Sequence, residues 1–516
     1  VTVERARAHS LADIPRRSAA RFPHKTALVH RDVRLTFADF DAAVDRVAAA
    51  LQAAGLRRGD KLAVLSRNCW QFPVLGFATA RIGVVFVPVN FMLTGGEVAY
   101  ILRDCAADAF VVEDALLPVA EKALAEQEVR IRAVIALAGE PVPPGWADFA
   151  EWSEKDARPE PADVGDDEVI RIMYTSGTES RPKGAMLTSR SLMWQYTSCI
   201  VTGGMETADV ELHAMPLYHC AQLDNFLSTD LYLGATSIIL DRPDPAAMLR
   251  AIEAERVTNL FVPPTVWISL LRELGPTDIS SLRKGYYGAS ALPVEVLREM
   301  KRRLPDMRFW NFYGQTEMAS LATALGPEDQ ELRPGSAGRA ALNVETRVVD
   351  DQDRPLPAGQ VGEIVHRSPH ATVGYLGKPE QTAEAFRGGW FHSGDLGYFD
   401  DEGYLWVVDR KKDMIKTGGE NVATREVEEA LYTVDGVAEA AVIGVAHPRW
   451  IEAVTAVVVA KPGSGLTERD VIDGCRRRLA GFKVPKSVVF TDALPKNPSG
   501  KILKRALRDQ LSPKAD

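Results

Sequence analysis

The segment from Tyr174 to Gly184, YTSGTESRPKG, gathers hydroxyls, glycines and one lysine into a single short stretch. Thr175, Ser176 and Thr178 offer O–H donors, Gly177 and Gly184 let the backbone bend so that N–H groups converge, and Lys183 adds a compact positive charge. Such a loop suits a polyphosphate. It differs from the Walker sequence, which places Ser or Thr after its lysine, because Lys183 is followed by Gly184 and Ala185. Taken alone, a Gly/Ser/Thr/Pro cluster is as readily a polar surface loop, so its meaning depends on the chemistry carried by the rest of the chain.

Several short motifs stand in order behind it. Tyr313, Gly314, Gln315, Thr316 and Glu317 (YGQTE) combine an aromatic face for a base, a hydroxyl, and a carboxylate able to hold Mg²⁺. Upstream, Gly288, Ala289 and Ser290 form a small-residue loop past which a flat ring could approach the backbone. Asp395, in GWFHSGDLG, is an acid suited to accept two hydrogen bonds from ribose hydroxyls. Arg410 stands in VDRKKDMIKTGGEN, and Lys501 in PKNPSGKILKR, where a basic run by itself reads as a solvated face. His219 and Cys220 are neighbours in PLYHC, but adjacent residues on an extended chain point to opposite faces, which argues against a Cys–His nucleophile.

The elements that must carry these groups alternate apolar strand-like runs with amphipathic helical segments, the signature of an α/β architecture. Phe37 to Ala54 puts Val44, Val47, Ala48 and Leu51 on one helical stripe and stops at Gly55. Lys61–Leu65, Val84–Val89 and Ala109–Val112 read as strands, with a helix over Glu97–Arg103 between the last two. Residues 141–167, rich in proline and acid, read as a surface connection. Gly397–Phe399 and Tyr404–Val408 read as a hairpin, followed by the charged run Asp409–Asp413. We expect a large N-terminal domain of α/β subdomains over residues 1–411 and a small mobile α+β C-terminal domain over 412–516.

With 516 residues, 46% of them hydrophobic and 25% charged, more than one core is expected. A formal net charge of −9 argues against a general nucleic-acid binder. Any anion site is therefore a local positive feature in an acidic protein. No apolar run approaches the roughly 18 residues of a membrane span, and a cytoplasmic location is expected. Cys69, Cys105, Cys199, Cys220 and Cys475 are scattered, odd in number and form no CxxC, and His366 and His370 are separated by Pro369, so neither a disulfide frame nor a metal motif is suggested.

The ordered set TSGTESRPKG, YGQTE, SGD, DRKKDMIKTGGEN and PKNPSGKI resembles the adenylate-forming superfamily: acyl-CoA synthetases, aryl-CoA ligases, firefly-type luciferases and peptide-synthetase adenylation domains. The resemblance covers nearly the whole chain. YGASALP, GGENV and NPSGKILK are most similar to bacterial fatty-acyl-CoA synthetases. It implies two steps: a carboxylate attacks the α-phosphorus of ATP with release of pyrophosphate, and a CoA thiol then displaces AMP. Like-charge repulsion between carboxylate and polyphosphate must be neutralised, which is why cations and donors cluster.

Carried over residue by residue, the resemblance implies that Thr175, Ser176, Gly177, Thr178 and Lys183 hold the β and γ phosphates. It gives Glu317, with Thr175, to Mg²⁺, Thr316 to the α-phosphate, and Tyr313 and Gly314 beside Gly288, Ala289 and Ser290 to adenine. Asp395 and Arg410 would fix the ribose, Lys501 would bridge carboxylate and α-phosphate, and His219 would lie by the reactive carboxylate. Lys412 would be the hinge about which the small domain swings, and Gly418, Gly419 and Glu420 would form the pantetheine channel. Leu223, Phe226, Val262, Tyr287 and Gly288 are candidates for the acyl tunnel. The expected cofactors are ATP, Mg²⁺ and coenzyme A, the expected substrate is a medium- or long-chain fatty acid, and a homodimer is compatible with the sequence. The rivals are an aryl or cinnamyl acid ligase, an enzyme loading a carrier protein, and a non-catalytic nucleotide or acyl-adenylate binder.

Three places depart from the family pattern. Glu179 and Ser180 stand where Thr-Gly is common, Ala423 and Thr424 stand after Val422 where tyrosine and proline are usual, and Ile451 replaces a common glycine. The last two touch the thiolation side.

Overall fold

The computed structural model describes residues 3, 7, 9–175, 182–288, 292–418, 420–497 and 501–511. Among these the chain builds a large mixed α/β N-terminal domain and a small α+β C-terminal one.

The first sheet has strand order Ala147–Asp148, Ile131–Ile135, Ala109–Glu113, Lys61–Leu65, Val85–Val89, Val169–Thr175, Lys183–Thr188. Its central strands run parallel. Ala109–Glu113 and Val85–Val89 are buried along their whole length, as expected of parallel strands covered on both faces. The covering helix Phe37–Ala53 buries Val44, Val47, Ala48 and Leu51, the stripe read from the sequence. Thr36 starts it: Asp39 N–H donates to Thr36 Oγ1 at 3.1 Å, and Thr36 N–H donates to Asp39 Oδ2 at 3.0 Å, a reciprocal cap.

A second, larger sheet runs from Arg339–Ala340 at one edge through Arg308–Tyr313, Lys284–Gly288, Asn259–Phe261 and Val210–His213 to Val33–Thr36 at the other. It is parallel in the middle and antiparallel at both edges. Arg308–Tyr313 therefore delivers the YGQTE segment at its C-terminal end, the end of parallel strands where ligand crevices form.

Residues 141–167 differ from the surface connection expected. They contain the strand Ala147–Asp148 and the helix Phe149–Glu154, whose Phe149 and Trp152 are only 2% and 8% exposed. Two aromatic anchors in an otherwise polar stretch are enough to dock it, and Trp70 packs edge-on against Phe149 at 5.8 Å.

The hairpin expected over 397–408 is present and longer: Phe391–Phe399 pairs antiparallel with Leu405–Arg410. Its register makes Asp395 and Arg410 direct cross-strand partners. Beyond it the chain enters a sheet formed by Glu420–Val422, Ile415–Thr417, Ile451–Ala460, Val437–His447 and Ser487–Phe490. Helices Thr424–Tyr432, Glu468–Arg476 and Lys504–Leu511 complete this small domain. No helix of the described residues is long and apolar enough to cross a membrane.

Candidate active site

A cavity of about 930 Å³ lies among the first sheet, the second sheet, the long hairpin and the C-terminal segment. Its walls carry Thr175, Lys183, His219, Gly314, Thr316, Glu317, Asp395, Arg410, Lys412 and Lys501. These residues span more than three hundred positions of sequence, and four separate structural units bring them to one space.

Thr175 ends one strand and Lys183 begins the next, and the two are paired across the antiparallel ladder. Thr175 Oγ1 donates to the Lys183 carbonyl at 3.4 Å. Ser176, Gly177 and Thr178 lie outside the described residues, as do Ala289, Ser290 and Gly419. Gly184 does not serve loop bending: it sits inside the strand Lys183–Thr188, where a Cβ would come within 2.7 Å of Ile172 Cγ2.

Glu317 lies in the single turn Thr316–Met318, directly after the strand that ends at Tyr313. Tyr375 Oη–H donates to Glu317 Oε1 at 2.7 Å, and Lys183 Nζ stands 5.2 Å from the same ring. One tyrosine thus touches both the candidate metal carboxylate and the candidate phosphate cation. Nothing in the sequence pointed to it, because it lies far from either motif and is brought to them by main-chain bonds from Thr372 N–H to the Glu317 carbonyl at 2.7 Å and from Leu376 N–H to the Gly184 carbonyl at 2.9 Å.

Gly314 is required by a close approach, since a Cβ there would be 1.9 Å from the Ser320 carbonyl. The chain returns sharply over it: Ala319 and Ser320 have φ of 52° and 118°, left-handed values that side chains adopt at a cost. Gly288 is tight for a different reason than the one expected, its missing Cβ making room for the Phe312 carbonyl of the next strand. Tyr313 stands behind Asp395: its hydroxyl donates to Asp395 Oδ2 at 2.7 Å, and Gln315 Nε2 donates to the same carboxylate oxygen at 3.1 Å. Arg410 Nε lies 3.3 Å from Asp395 Oδ1. Asp395 is thus oriented by three side chains.

Lys501 enters from the C-terminal domain. Its N–H donates to Asn497 Oδ1 at 2.9 Å and its carbonyl accepts from Asn497 N–H at 2.9 Å, which fixes the Lys501 backbone. Burial, then the nearby positive charge of Arg410, lowers its ammonium pKa to about 8, against the pull of Asp395. His219 is lowered to about 4 by burial and then by Lys501. Its Nδ1 accepts the Ala221 N–H at 3.2 Å, which leaves the proton on Nε2. The Cys220 thiol is pushed up to about 11 by burial and lies 3.4 Å from Thr316 Oγ1. A neutral imidazole beside a neutral thiol is not an activated nucleophile pair, in agreement with the sequence reading.

The acyl wall is where sequence reasoning missed most. Leu223, Phe226, Val262 and Tyr287 are core residues, 0–2% exposed, and stand behind the cavity surface. Phe226 stacks on Phe261 at 4.6 Å and on Phe312 at 5.8 Å, and it is these two partners that line the cavity, with Tyr218, Ala221, Asn225 and Ser320. The segment Ala221–Leu227 is a π-helix, a geometry that no spacing rule anticipates and that recurs at functional sites. It turns Asn225 to the cavity while Asp224 pairs with Arg171 and accepts from Tyr196 Oη at 3.0 Å in the core. Asn225 Nδ2 donates to Ser320 Oγ at 3.2 Å, and Asn225 Oδ1 accepts from Gln195.

Gly418 and Glu420 do not join this assembly. Both are exposed, and Gly418 N–H donates to the Trp450 carbonyl at 2.9 Å. Elsewhere, Glu211, His213 and Asp230 hold their ligand atoms within 4.8 Å of one another in the core. Gln222 resolves their role: its Oε1 accepts Met215 N–H at 3.3 Å and its Nε2 donates to His213 Nδ1 at 2.7 Å. The imidazole proton is thereby assigned to Nε2, which lies 3.2 Å from Asp230 Oδ2, so the nitrogen nearest that carboxylate carries a proton rather than a metal-binding lone pair.

Comparison with known proteins identifies the family of the chain. The family model described as AMP-binding enzyme matches residues 15–376, and that described as AMP-binding enzyme C-terminal domain matches residues 426–501. A feruloyl-CoA synthase from Amycolatopsis is 40% identical over 504 residues, covering 97% of this chain and 99% of that protein. The long-chain-fatty-acid–CoA ligase FadD13 of Mycobacterium tuberculosis is 34% identical over 491 residues, 93% of this chain and 94% of that one. The crystal structure of the anthranilate CoA ligase AuaEII in complex with anthranoyl-AMP superposes with a TM-score of 0.91 at 27% identity, covering 98% of this chain and 97% of that one.

Proposed function

The chain belongs to the AMP-binding enzyme family as an acid–thiol ligase, and from that premise we propose that its acid is aromatic and bears a polar substituent. The observation that carries this reading is Asn225. An amide and the Ser320 hydroxyl stand on a wall otherwise made by Tyr218, Phe261 and Phe312. Asn225 and Ser320 are 3% and 9% exposed and already bonded to each other, so a saturated chain would gain nothing from them, whereas an oxygenated ring both stacks on the aromatic wall and accepts from the second amide hydrogen of Asn225. The 40% identity to a feruloyl-CoA synthase supports the same choice over the fatty acid favoured by sequence alone.

In this reading the Asp395 carboxylate, held by Tyr313, Gln315 and Arg410, accepts from the ribose hydroxyls of ATP. Lys183 and Thr175 neutralise the outer phosphates, and Thr316 donates to the α-phosphate. Lys501 brings its ammonium between the substrate carboxylate and that phosphate, lowering the repulsion that otherwise forbids attack. Carboxylate oxygen then bonds to the α-phosphorus as the bond to pyrophosphate breaks. Neutral His219, with its proton on Nε2, orients the acid as a donor. Glu317, one oxygen fixed by Tyr375, has the hard oxygen chemistry suited to Mg²⁺, which would offset phosphate charge when bound. For the second step the small domain turns about Lys412, withdrawing Lys501 and bringing the segment around Gly418 and Glu420 to the site, where the CoA thiolate displaces AMP.

The test is pyrophosphate release across hydroxylated, methoxylated and unsubstituted aryl acids and straight-chain acids, each with and without CoA. Release that depends on an oxygenated aryl acid and turns over only with CoA is expected. Turnover confined to alkyl acids would return the fatty-acid reading, and a single burst that CoA cannot relieve would favour a carrier-protein acceptor.

A further inference from the structure

The helix Lys504–Leu511 comes almost directly after Lys501, and its first side chain reaches into the small domain. Lys504 Nζ lies 2.7 Å from Glu428 Oε1 and also donates to Thr424 Oγ1. The Thr424 hydroxyl in turn donates to Asp409 Oδ2 at 2.8 Å, and its backbone N–H donates to the same oxygen at 2.6 Å. Thr424 is completely buried and Asp409 is 8% exposed.

The direction of these bonds matters. One hydroxyl gives its proton to a carboxylate and accepts from an ammonium, so both of its capacities are used between opposite charges, in a setting with little water to screen them. Asp409 lies on the hairpin strand that also carries Arg410, ahead of the candidate hinge. Thr424 and Lys504 lie beyond it. The next residue, Arg425, adds Nη1 to the Val407 carbonyl at 2.7 Å and Nη2 to the Gly335 carbonyl at 2.9 Å, both again on the large-domain side.

We propose that Thr424 is a positioning residue for Lys501: its hydroxyl couples Asp409 to Lys504 and so holds the small domain in the orientation that keeps Lys501 in the cavity. This rests on the two-step reading above. A proline here, the residue that the sequence resemblance makes usual, has neither donor, so the latch belongs to this chain's own departure. Rotation about Lys412 must strip two donors from a largely buried carboxylate. The latch therefore favours acid activation and slows the passage to thioester formation.

The two half-reactions separate this from a general structural role. Thr424→Val, near-isosteric and lacking only the hydroxyl, should slow adenylate formation about tenfold, the effect of one hydrogen bond to a charged group. Thioester formation from preformed acyl-adenylate should be unchanged or faster. Thr424→Ser should restore both steps, and Lys504→Met should repeat the Thr424→Val pattern from the other end of the network. A readout independent of substrate is trypsin cleavage after the exposed Lys411 and Lys412, which should rise in Thr424→Val and not in Thr424→Ser. Equal loss of both half-reactions, failure of serine to restore them, or unchanged cleavage in Thr424→Val would overturn the latch. A wild-type enzyme that makes adenylate from no acid would instead overturn the underlying reading, while the cleavage comparison still decides whether Thr424 fixes the domain.

Discussion

Tyr375 and Glu317 act as one unit: the phenol donates to the carboxylate at 2.7 Å, and the ring that carries it faces Lys183 at 5.2 Å. The candidate metal ligand and the candidate phosphate cation are thus set by a residue that neither motif contains. Burial, then Glu317, raises the phenol's pKa above its ordinary value, so it stays a donor at every working pH. Glu317→Gln should raise the Mg²⁺ concentration needed for half-maximal pyrophosphate release by about tenfold, and Tyr375→Phe by a smaller factor of about three, the low end of what one hydrogen bond contributes net, because the phenol acts on the ion only through Glu317. Titrating Mg²⁺ at fixed ATP checks both, and an unaltered metal dependence in Glu317→Gln would remove it from the metal site.

Lys501 gives a pH prediction with a definite sign. If its ammonium serves acid activation as proposed, then, with its pKa lowered to about 8 by burial and Arg410, adenylate formation should fall as pH rises through about 8 while thioester formation from preformed adenylate does not. Lys501→Ala should abolish the first step and spare the second. Stability moves the other way. Between about 8 and its ordinary value near 10.5 the folded state binds fewer protons at this site than the unfolded chain, so this lysine's penalty is fully present below pH 8 and fades as pH rises. Lys501→Met should therefore raise the melting midpoint at pH 7 and bring no gain at pH 10.5, which thermal melts at the two pH values would show.

Much of this was legible in the sequence because each motif is a short contiguous run whose residue types already state its chemistry. The strands Lys61–Leu65 and, one residue short, Ala109–Val112 followed from apolar runs, and Asp395 with Arg410 followed from motif order, although only the hairpin register explains why they meet. The acyl wall was not legible. Its lining is set by a π-helix over Ala221–Leu227, in which Asn225 faces the cavity while Leu223 and Phe226, candidates for the acyl tunnel, face the core. Tyr375, and the contacts of Thr424, were hidden for a related reason: their partners lie on other elements, and single-chain periodicity carries no information about those contacts.

Ile451 offers a stability prediction. It replaces a glycine that the family commonly has, and its φ of 71° is left-handed, where a β-branched side chain is strained. The side chain is 68% exposed, so shortening it forfeits little burial. Relief of about 1–2 kcal/mol is offset by the extra chain entropy of glycine, about 0.5–1 kcal/mol. Ile451→Gly should stabilise the protein by about 0.5–1 kcal/mol net, read as a higher urea midpoint at constant slope. A lower midpoint would mean that the isoleucine makes contacts worth more than its strain.

Lys412 tests whether the two steps need two domain orientations. It is an exposed residue of the turn between Arg410 and the strand beginning at Ile415, and it also lines the cavity. Proline fixes φ near −65° and removes the freedom that a pivot requires. If the small domain turns here, Lys412→Pro should leave pyrophosphate release in a single turnover within about threefold of wild type, since the orientation seen already places Lys501 in the cavity. Transfer to CoA should fall by about a hundredfold or more, because the second geometry becomes inaccessible. Lys412→Ala, which keeps the backbone free, should spare both steps and so separates loss of the pivot from loss of the charge. CoA transfer unchanged in Lys412→Pro would place the pivot elsewhere in Lys411–Met414, and equal loss of both steps in the alanine variant would make Lys412 a binding residue instead.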